Sequence, residues 1–382
     1  MEILLVTPSY FPIVGGSEVM TRNISSSLNQ LGIHADIMTL NMDRKWHPVW
    51  KEDIVTDGQS KVFKEPAFNP FLGVPNPLFN ILRTNVIPRP SYAARFEDYD
   101  IIHFIGEADL SLPLFSRHVK KPKLFQCAAM YRNGGIYKYY MSDRAFLGPI
   151  FKRFFSKLAD VFVVSSDPER RLLVELGVPF HRISVLPIGV DTKTFQHDAT
   201  KKSDNLVLFV GRIEKIKGLH ILLEALPHVE VPVHLAIIGS RWNAEYANYL
   251  EQLANNINQK GFHKVMFLGS INQRDLARWY QQAAVVVSPF LYEPYSNVIR
   301  ESLACGTPVI STGSHLVENG SDGILLVSKD SKAVADSLNK LLNNRDMRTK
   351  LGKDGRRTIE QSFSWESISR NLVTVYEKML LN

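Results

Sequence analysis

The stretch NLVLFVGRIEKIKGLHILLEAL, residues 205–226, decides the fold. Its first apolar run, LVLFV, is short and continuous, as in a strand buried on both faces of a parallel sheet. A glycine-bearing loop follows, and apolar residues then recur at helical spacing from Leu219. VHLAIIGS supplies the next strand, completing a strand-helix-strand unit. VMFLGS, a helix through DLARWYQQA, AVVVSPF, a helix after Tyr295 and TPVIST continue the alternation. The chain opens in the same way, with EILLV, a loop holding Gly15 and Gly16, and a helix with Val19, Ile24, Leu28 and Leu31 on one stripe. Gly32 ends that helix and ADIMTL resumes as strand. An alternation that restarts near residue 205 predicts two doubly wound α/β domains.

The bulk numbers agree. A chain of 382 residues is long for one domain, and 45% hydrophobic with 22% charged residues leaves room for a full core. The net charge of +7 suits an anionic ligand or an anionic membrane surface. No dense basic block or nucleic-acid motif stands in the sequence, so no nucleic-acid partner is expected. Cysteine usage is sparse, Cys127 and Cys305 only, which fits a reducing compartment. The opening MEILLVTPSY lacks the basic segment of a signal peptide, and no run reaches the roughly 18 apolar residues of a membrane span. A cytoplasmic protein, free or peripheral at the inner face of the membrane, is the expectation. The polar stretch QHDATKKSDN, 196–205, reads as a linker between a first domain over 1–198 and a second over 199–365. A closing helix over 366–382 is expected to pack back on the first domain.

Four features point to an anionic, polyhydroxylated ligand. Gly15 and Gly16 let backbone N–H groups approach a ligand, although an ordinary tight turn reads the same way. In GRIEKIKG, 211–218, Arg212 offers a fork for phosphate oxygens and Lys217 a mobile charge, enough to neutralise a diphosphate without a metal. Two solvated cations are the plainer alternative. Gly239 and Gly269 end the strands VHLAIIGS and VMFLGS, where parallel sheets bind ligands.

The third feature is EPYSNVIRE, 293–301. Pro294 pushes Glu293 out of helical geometry, and Ser296 is placed to cap the helix behind it. Glu293 then accepts from sugar hydroxyls, the N–H groups of Ser296, Asn297 and Val298 face phosphate, and Glu301 takes the paired hydroxyls of a ribose. A helix-surface acid is the alternative for Glu301. The fourth is His103 in DIIHFIGE, expected at the C-terminal end of a strand and facing a cleft. It reads either as a sugar or acceptor contact or as a hydrogen-bonded core histidine. DYD, 98–100, matches a short metal motif, but acids also mark the exposed start of a strand such as IIHFI, and no metal site is expected.

In this order and spacing the motifs resemble a known family. PIVGG, DIIH, ADVFVVSS, ISVLPIGVDTKTF, GRIEKIKG, EPYSNVIRE with SLACGTPVIS, and FSWESISRNLVTVYEKML run along nearly the whole chain. They are similar to the retaining, nucleotide-sugar-dependent glycosyltransferases of family 4. The resemblance implies the GT-B architecture, α/β with two Rossmann-like doubly wound domains facing across a cleft. It puts Arg212 and Lys217 on the donor diphosphate, Glu293 on the donor sugar, Glu301 on the ribose and Gly16 in the phosphate-side loop. Glu293, Arg212, Lys217 and His103 form the expected catalytic set. Transfer from a UDP- or GDP-sugar to a carbohydrate or lipid-linked acceptor is implied, in cell-envelope polysaccharide or glycolipid synthesis, with no cofactor and no metal.

Three departures from the family pattern stand out. His103-Phe104-Ile105 replaces His-x-His, Ala128 stands where a histidine near the reacting sugar is often found, and Tyr295-Ser296-Asn297 replaces Gly-Phe-Gly. On the acceptor side, 68–90 is apolar and proline-rich, and 136–158 mixes aromatic and basic residues. The latter fits an anionic membrane surface or, more plainly, a core-packing helix. A GT-B-fold epimerase or phosphorylase, and a nucleotide-sugar-binding protein without turnover, are the competing readings.

Overall fold

The computed structural model describes residues 1–13, 16–43, 47–68, 87–106, 119–127, 155–198, 202–291, 296–313 and 322–381. They form two compact units, unit 1 from Met1–Gly189 with Trp365–Asn382 and unit 2 from Val190–Ser364.

Among the described residues unit 1 has ten strands: β1 (Glu2–Thr7), β2 (His34–Leu40), β3 (Asp53–Asp57), β4 (Ser60–Glu65), β5 (Ala67–Phe68), β6 (Ile87–Pro88), β7 (Ile101–Gly106), β8 (Lys123–Cys127), β9 (Val161–Val164) and β10 (Ile183–Val185). Eight of them make one sheet in the order β10-β9-β8-β7-β1-β2-β4-β3, while β5 and β6 pair separately. Every pair in the large sheet is parallel except β3 with β4. The central strands are buried along nearly their whole length, the state their continuous apolar runs require. β3 closes the edge and is exposed along most of its length. Helix α1 (Gly16–Gln30) lays Met20, Ile24 and Leu28 on the sheet, and α2 (Asp167–Glu175) follows β9. The closing helix Trp365–Leu381 shares that core, with Leu372 and Tyr376 buried beside Met20 and Ile24. Burying a leucine of this kind contributes about 2 kcal/mol.

Unit 2 holds β11 (Leu206–Val210), β12 (His234–Ile238), β13 (Lys264–Gly269), β14 (Val285–Ser288), β15 (Val309–Ser311) and β16 (Ile324–Leu326). The order is β13-β12-β11-β14-β15-β16, all parallel, the doubly wound order of a Rossmann-like sheet. Its helices are α3 (Leu219–Ala225), α4 (Ala244–Gln259), α5 (Gln273–Gln282), α6 (Asn297–Ala304), α7 (Ser331–Leu342) and α8 (Arg345–Thr358). Leu222, Leu250 and Leu338 from α3, α4 and α7 fill one layer of the core. Ala277, Tyr280, Ile299 and Leu303 from α5 and α6 fill the other.

The way these helices begin separates them into two groups. Asn243, Asn272, Asp330 and Asn344 cap α4, α5, α7 and α8, each side-chain oxygen accepting from the backbone N–H three residues on. α3 and α6 begin with no such hydrogen bond. Both cysteines are buried and free. Among the described residues no helix is long and apolar enough to cross a membrane.

Candidate active site

In the sheet of unit 2 the strand order reverses between β11 and β14, and ligands of such sheets bind at the carboxyl ends of the strands beside that reversal. The segments there are 211–218, which leads into α3, and 289–291, which follows β14 and precedes α6 in the chain. They are tied together: the Leu291 N–H donates to the Ile216 carbonyl at 2.8 Å, and a Cβ at Gly218, whose φ is +71°, would overlap the Pro289 carbonyl. Loops 211–218 and 239–243 are joined as well, with Gly211 N–H donating to Ile238 O at 2.9 Å and Ile213 N–H to Ser240 O at 2.8 Å. At Gly239 a Cβ would overlap the Gly211 carbonyl, and its N–H donates to Gly269 O at 2.9 Å. Gly239 and Gly218 thus let the strand ends approach closely, whereas a Cβ at Gly269 would meet open space.

Arg212 and Lys217 are brought together by this packing. The Lys217 stem runs 3.8 Å from the position a Cβ on Gly211 would take, next to Arg212. Arg212 is half-exposed, with Nη2 2.8 Å from Glu214 Oε1 and its guanidinium 4.5 Å from the ring centre of Trp242.

On α6, Ser296 is the N-cap residue in extended geometry, but its Oγ is buried and makes no hydrogen bond. Asn297 Oδ1 accepts from Arg300 Nη2 at 2.7 Å, and Arg300 is almost wholly buried. Val298 packs at the edge of the core. Glu301 accepts from the Tyr280 hydroxyl at 3.0 Å. Burial raises the Glu301 carboxyl above the usual carboxylate range, against the opposing pull of that hydrogen bond and of the Arg300 charge. Glu301 is therefore not a plain helix-surface acid. Gly15, Ala128, Glu293, Pro294, Tyr295 and the segment 136–154 lie outside the described residues, as do residues 69–86.

In unit 1, Gly16 is exposed at the start of α1, with open space where a side chain would project. The loop before it is held by side chains the sequence did not single out. Glu18 is buried and accepts from Ser9 and from Ser17, the latter at 3.3 Å. Tyr10 donates to Asp57 Oδ2 at 2.7 Å, and Arg22 pairs with Asp57 Oδ1 at 2.9 Å.

His103 corrects its expected placement. β7 continues to Gly106, so His103 lies in mid-strand, in register with Leu5 of β1 and Leu124 of β8. It is fully buried, with Nδ1 2.6 Å from the Tyr376 hydroxyl of the closing helix. Burial pushes its pKa down to about 3, partly offset by Gln126, while Nε2 makes no hydrogen bond in line. These are the surroundings of a core histidine. Asp100 accepts from the Glu2 N–H at 2.8 Å at the start of the sheet. Among the described residues no group of three or more His, Cys, Asp or Glu could hold a metal ion.

Tyr280, Trp242, Glu214 and Glu18 are the site neighbours that sequence reasoning missed. Glu18 alone carried a signal, since an acid in the first turn favours a helix N-terminus.

Known proteins share this organisation. A model described as Glycosyltransferase Family 4 matches residues 14–194, and one described as Glycosyl transferases group 1 matches residues 190–358. The chain is 27% identical to O-antigen chain mannosyltransferase C of Escherichia coli, over 100% of this chain and 99% of that protein. It is 33% identical to spore coat protein SA of Bacillus subtilis over 50% of this chain, and spans 57% of that protein's length. Among solved structures, sucrose-phosphate synthase from Thermosynechococcus elongatus is similar with a TM-score of 0.70 and 23% identity, over 100% of both chains. HepE of Anabaena in complex with UDP is similar with a TM-score of 0.70 and 19% identity, over 99% of this chain and 100% of that one. The chain is a glycosyltransferase of the GT-B fold, related to the group 1 and family 4 enzymes, and moves a sugar from a nucleotide-sugar donor to an acceptor.

Proposed function

We propose that the chain is a retaining, metal-independent hexosyltransferase that uses a UDP- or GDP-sugar and acts on a carbohydrate or lipid-linked acceptor in cell-envelope polysaccharide or glycolipid synthesis. The observation that carries this reading is the pair of helix starts without a side-chain cap. In unit 2 only α3 and α6, among the described α-helices, begin without one, and they follow the two segments at the strand reversal in the chain. N–H groups at helix starts without a side-chain cap suit phosphate oxygens.

On this reading Arg212 and Lys217 neutralise the diphosphate, and Gly239 and Gly269 let backbone approach it. Ser296, Asn297 and Val298 offer their N–H groups, Glu301 takes the ribose hydroxyls and Glu293 the donor sugar. Gly15 and Gly16 form the phosphate-side loop. The bond from the anomeric carbon to the diphosphate oxygen breaks and a bond to the acceptor oxygen forms on the same face. The acceptor proton passes to the departing phosphate oxygen, so no protein nucleophile is needed. The enzyme supplies positioning and leaving-group stabilisation. His103 enters as a packing residue of unit 1.

The UDP of the HepE structure favours a uridine donor, and the O-antigen relative favours a surface-polysaccharide acceptor. A panel of UDP- and GDP-sugars tested for thermal stabilisation and for transfer checks the donor, because a tight ligand raises apparent stability by mass action. Glu293→Ala is expected to abolish transfer while leaving UDP affinity within about twofold, since it removes a sugar contact only. Equal loss of UDP affinity contradicts the assignment of Glu293 to the sugar.

A further inference from the structure

We propose that Glu214 is an internal counter-ion that holds Arg212 in the place of the donor diphosphate, and that Trp242 is the platform on which the guanidinium rests during the exchange. The inference builds on the reading of Arg212 as a diphosphate ligand.

Three observations carry it. The Arg212 Nη2 to Glu214 Oε1 distance of 2.8 Å is that of an ion pair, yet Glu214 Oε1 has no hydrogen bond in line. Charge is neutralised, but the directional part of the interaction is not made. A phosphate that meets the guanidinium fork with two parallel hydrogen bonds is the better partner. Second, the backbone that carries the carboxylate is held in the loop and the side chain is largely enclosed. Glu214 N–H donates to Arg212 O at 2.9 Å, Lys217 N–H donates to Glu214 O at 3.0 Å, and the Glu214 side chain is only 17% exposed. A diphosphate arriving at Arg212 therefore meets a nearby like charge.

Third, Trp242 is 64% exposed, an unusual state for an indole, and its ring faces the guanidinium at 4.5 Å. Asn243, the next residue, caps α4, and its N–H donates to Ile213 O at 3.4 Å, so the platform is fastened to the loop that carries Arg212. A stacked guanidinium can turn in its own plane from carboxylate to phosphate without leaving the ring. Glu214 thus lowers donor affinity and keeps Arg212 ordered between turnovers, while Trp242 preserves its position in both states.

UDP and inorganic pyrophosphate titrated by calorimetry into the full chain test the exchange. Glu214→Gln is expected to tighten both ligands roughly threefold to tenfold, through loss of one nearby like charge. Arg212→Ala is expected to weaken them, and the gain from Glu214→Gln is expected to vanish in the Arg212→Ala background. UDP should change the indole fluorescence of the wild type and not that of Trp242→Phe. Glu214→Ala serves as the second neutral variant if Glu214→Gln folds poorly by circular dichroism. Unchanged or weaker binding by the neutral variants, with the wild type binding UDP, overturns the exchange and makes Glu214 a support for Arg212. A wild type that binds neither UDP nor GDP overturns the diphosphate reading itself.

Discussion

The loops that open α1 in unit 1 and α3 in unit 2 come from the same local sequence logic, an apolar strand, a glycine-bearing loop and an amphipathic helix. Both pair a half-exposed arginine with an acid, and they differ in what else the loop encloses. In α1 the acid is enclosed, with Glu18 buried against Ser9, while Asp57 takes both Tyr10 and the half-exposed Arg22. Ahead of α3, Arg212 stands half-exposed on an exposed indole, and the helix behind the loop has no side-chain cap. One loop spends its hydrogen bonds on holding itself. The other pairs its cation with Glu214 without a hydrogen bond in line and leads into a helix with no side-chain cap, which suits an anion better.

The sharpest way to break this comparison is with the glycines. Gly239→Ala places a Cβ on the Gly211 carbonyl and is expected to destabilise unit 2 by about 4 kcal/mol or more in urea titrations, an exceptional value for one methyl group. Gly16→Ala projects into open space and is expected to stay within about 0.5 kcal/mol. Similar losses in both variants would remove the distinction.

The buried histidine offers a test on the unit 1 side. The His103 pKa of about 3 lies below the ordinary value of 6.5, so the unfolded chain takes up the proton first as pH falls. Stability is fully present above pH 6.5 and is lost as pH falls towards 3, with on the order of 3 kcal/mol from this group gone by pH 4. His103→Phe should show a shallower acid limb in denaturation midpoints measured from pH 7 to pH 4. An unchanged limb would mean that the ring is solvated in solution.

Tyr280→Phe sharpens the unit 2 side with the smallest effect. Loss of the hydrogen bond to Glu301 is expected to raise donor KM roughly threefold to tenfold. Because that bond lowers the Glu301 pKa, its removal should move the acid edge of donor binding to higher pH. A purely structural tyrosine would reduce stability and leave that edge in place.

Much of this architecture was readable in the chain. Strands buried on both faces show as unbroken apolar runs, so LVLFV and IIHFI announce themselves without knowledge of their neighbours. β3 does not, because an edge strand of sequence DIVTD needs only one partner and carries charge at both ends. The same runs hide what a polar residue within them does. In a strand buried on both faces every side chain is enclosed, so His103 could not be placed by alternation. Arg300 was invisible for the opposite reason, since arginine is rarely so buried. Arg212, Lys217 and Glu301 were legible as types of group in a motif. Their partners Glu214, Trp242 and Tyr280 were not, because each pairing depends on how a loop turns or on contact between neighbouring helices.

The closing helix gives unit 1 an unusual timetable during synthesis. Leu372 and Tyr376 complete a hydrophobic cluster whose other members include Ile3, Met20 and Ile37. A ribosome therefore delivers every residue of unit 2 before it delivers the last pieces of unit 1. The domain begun first is finished last, and until then its unfilled apolar face is a natural substrate for chaperones.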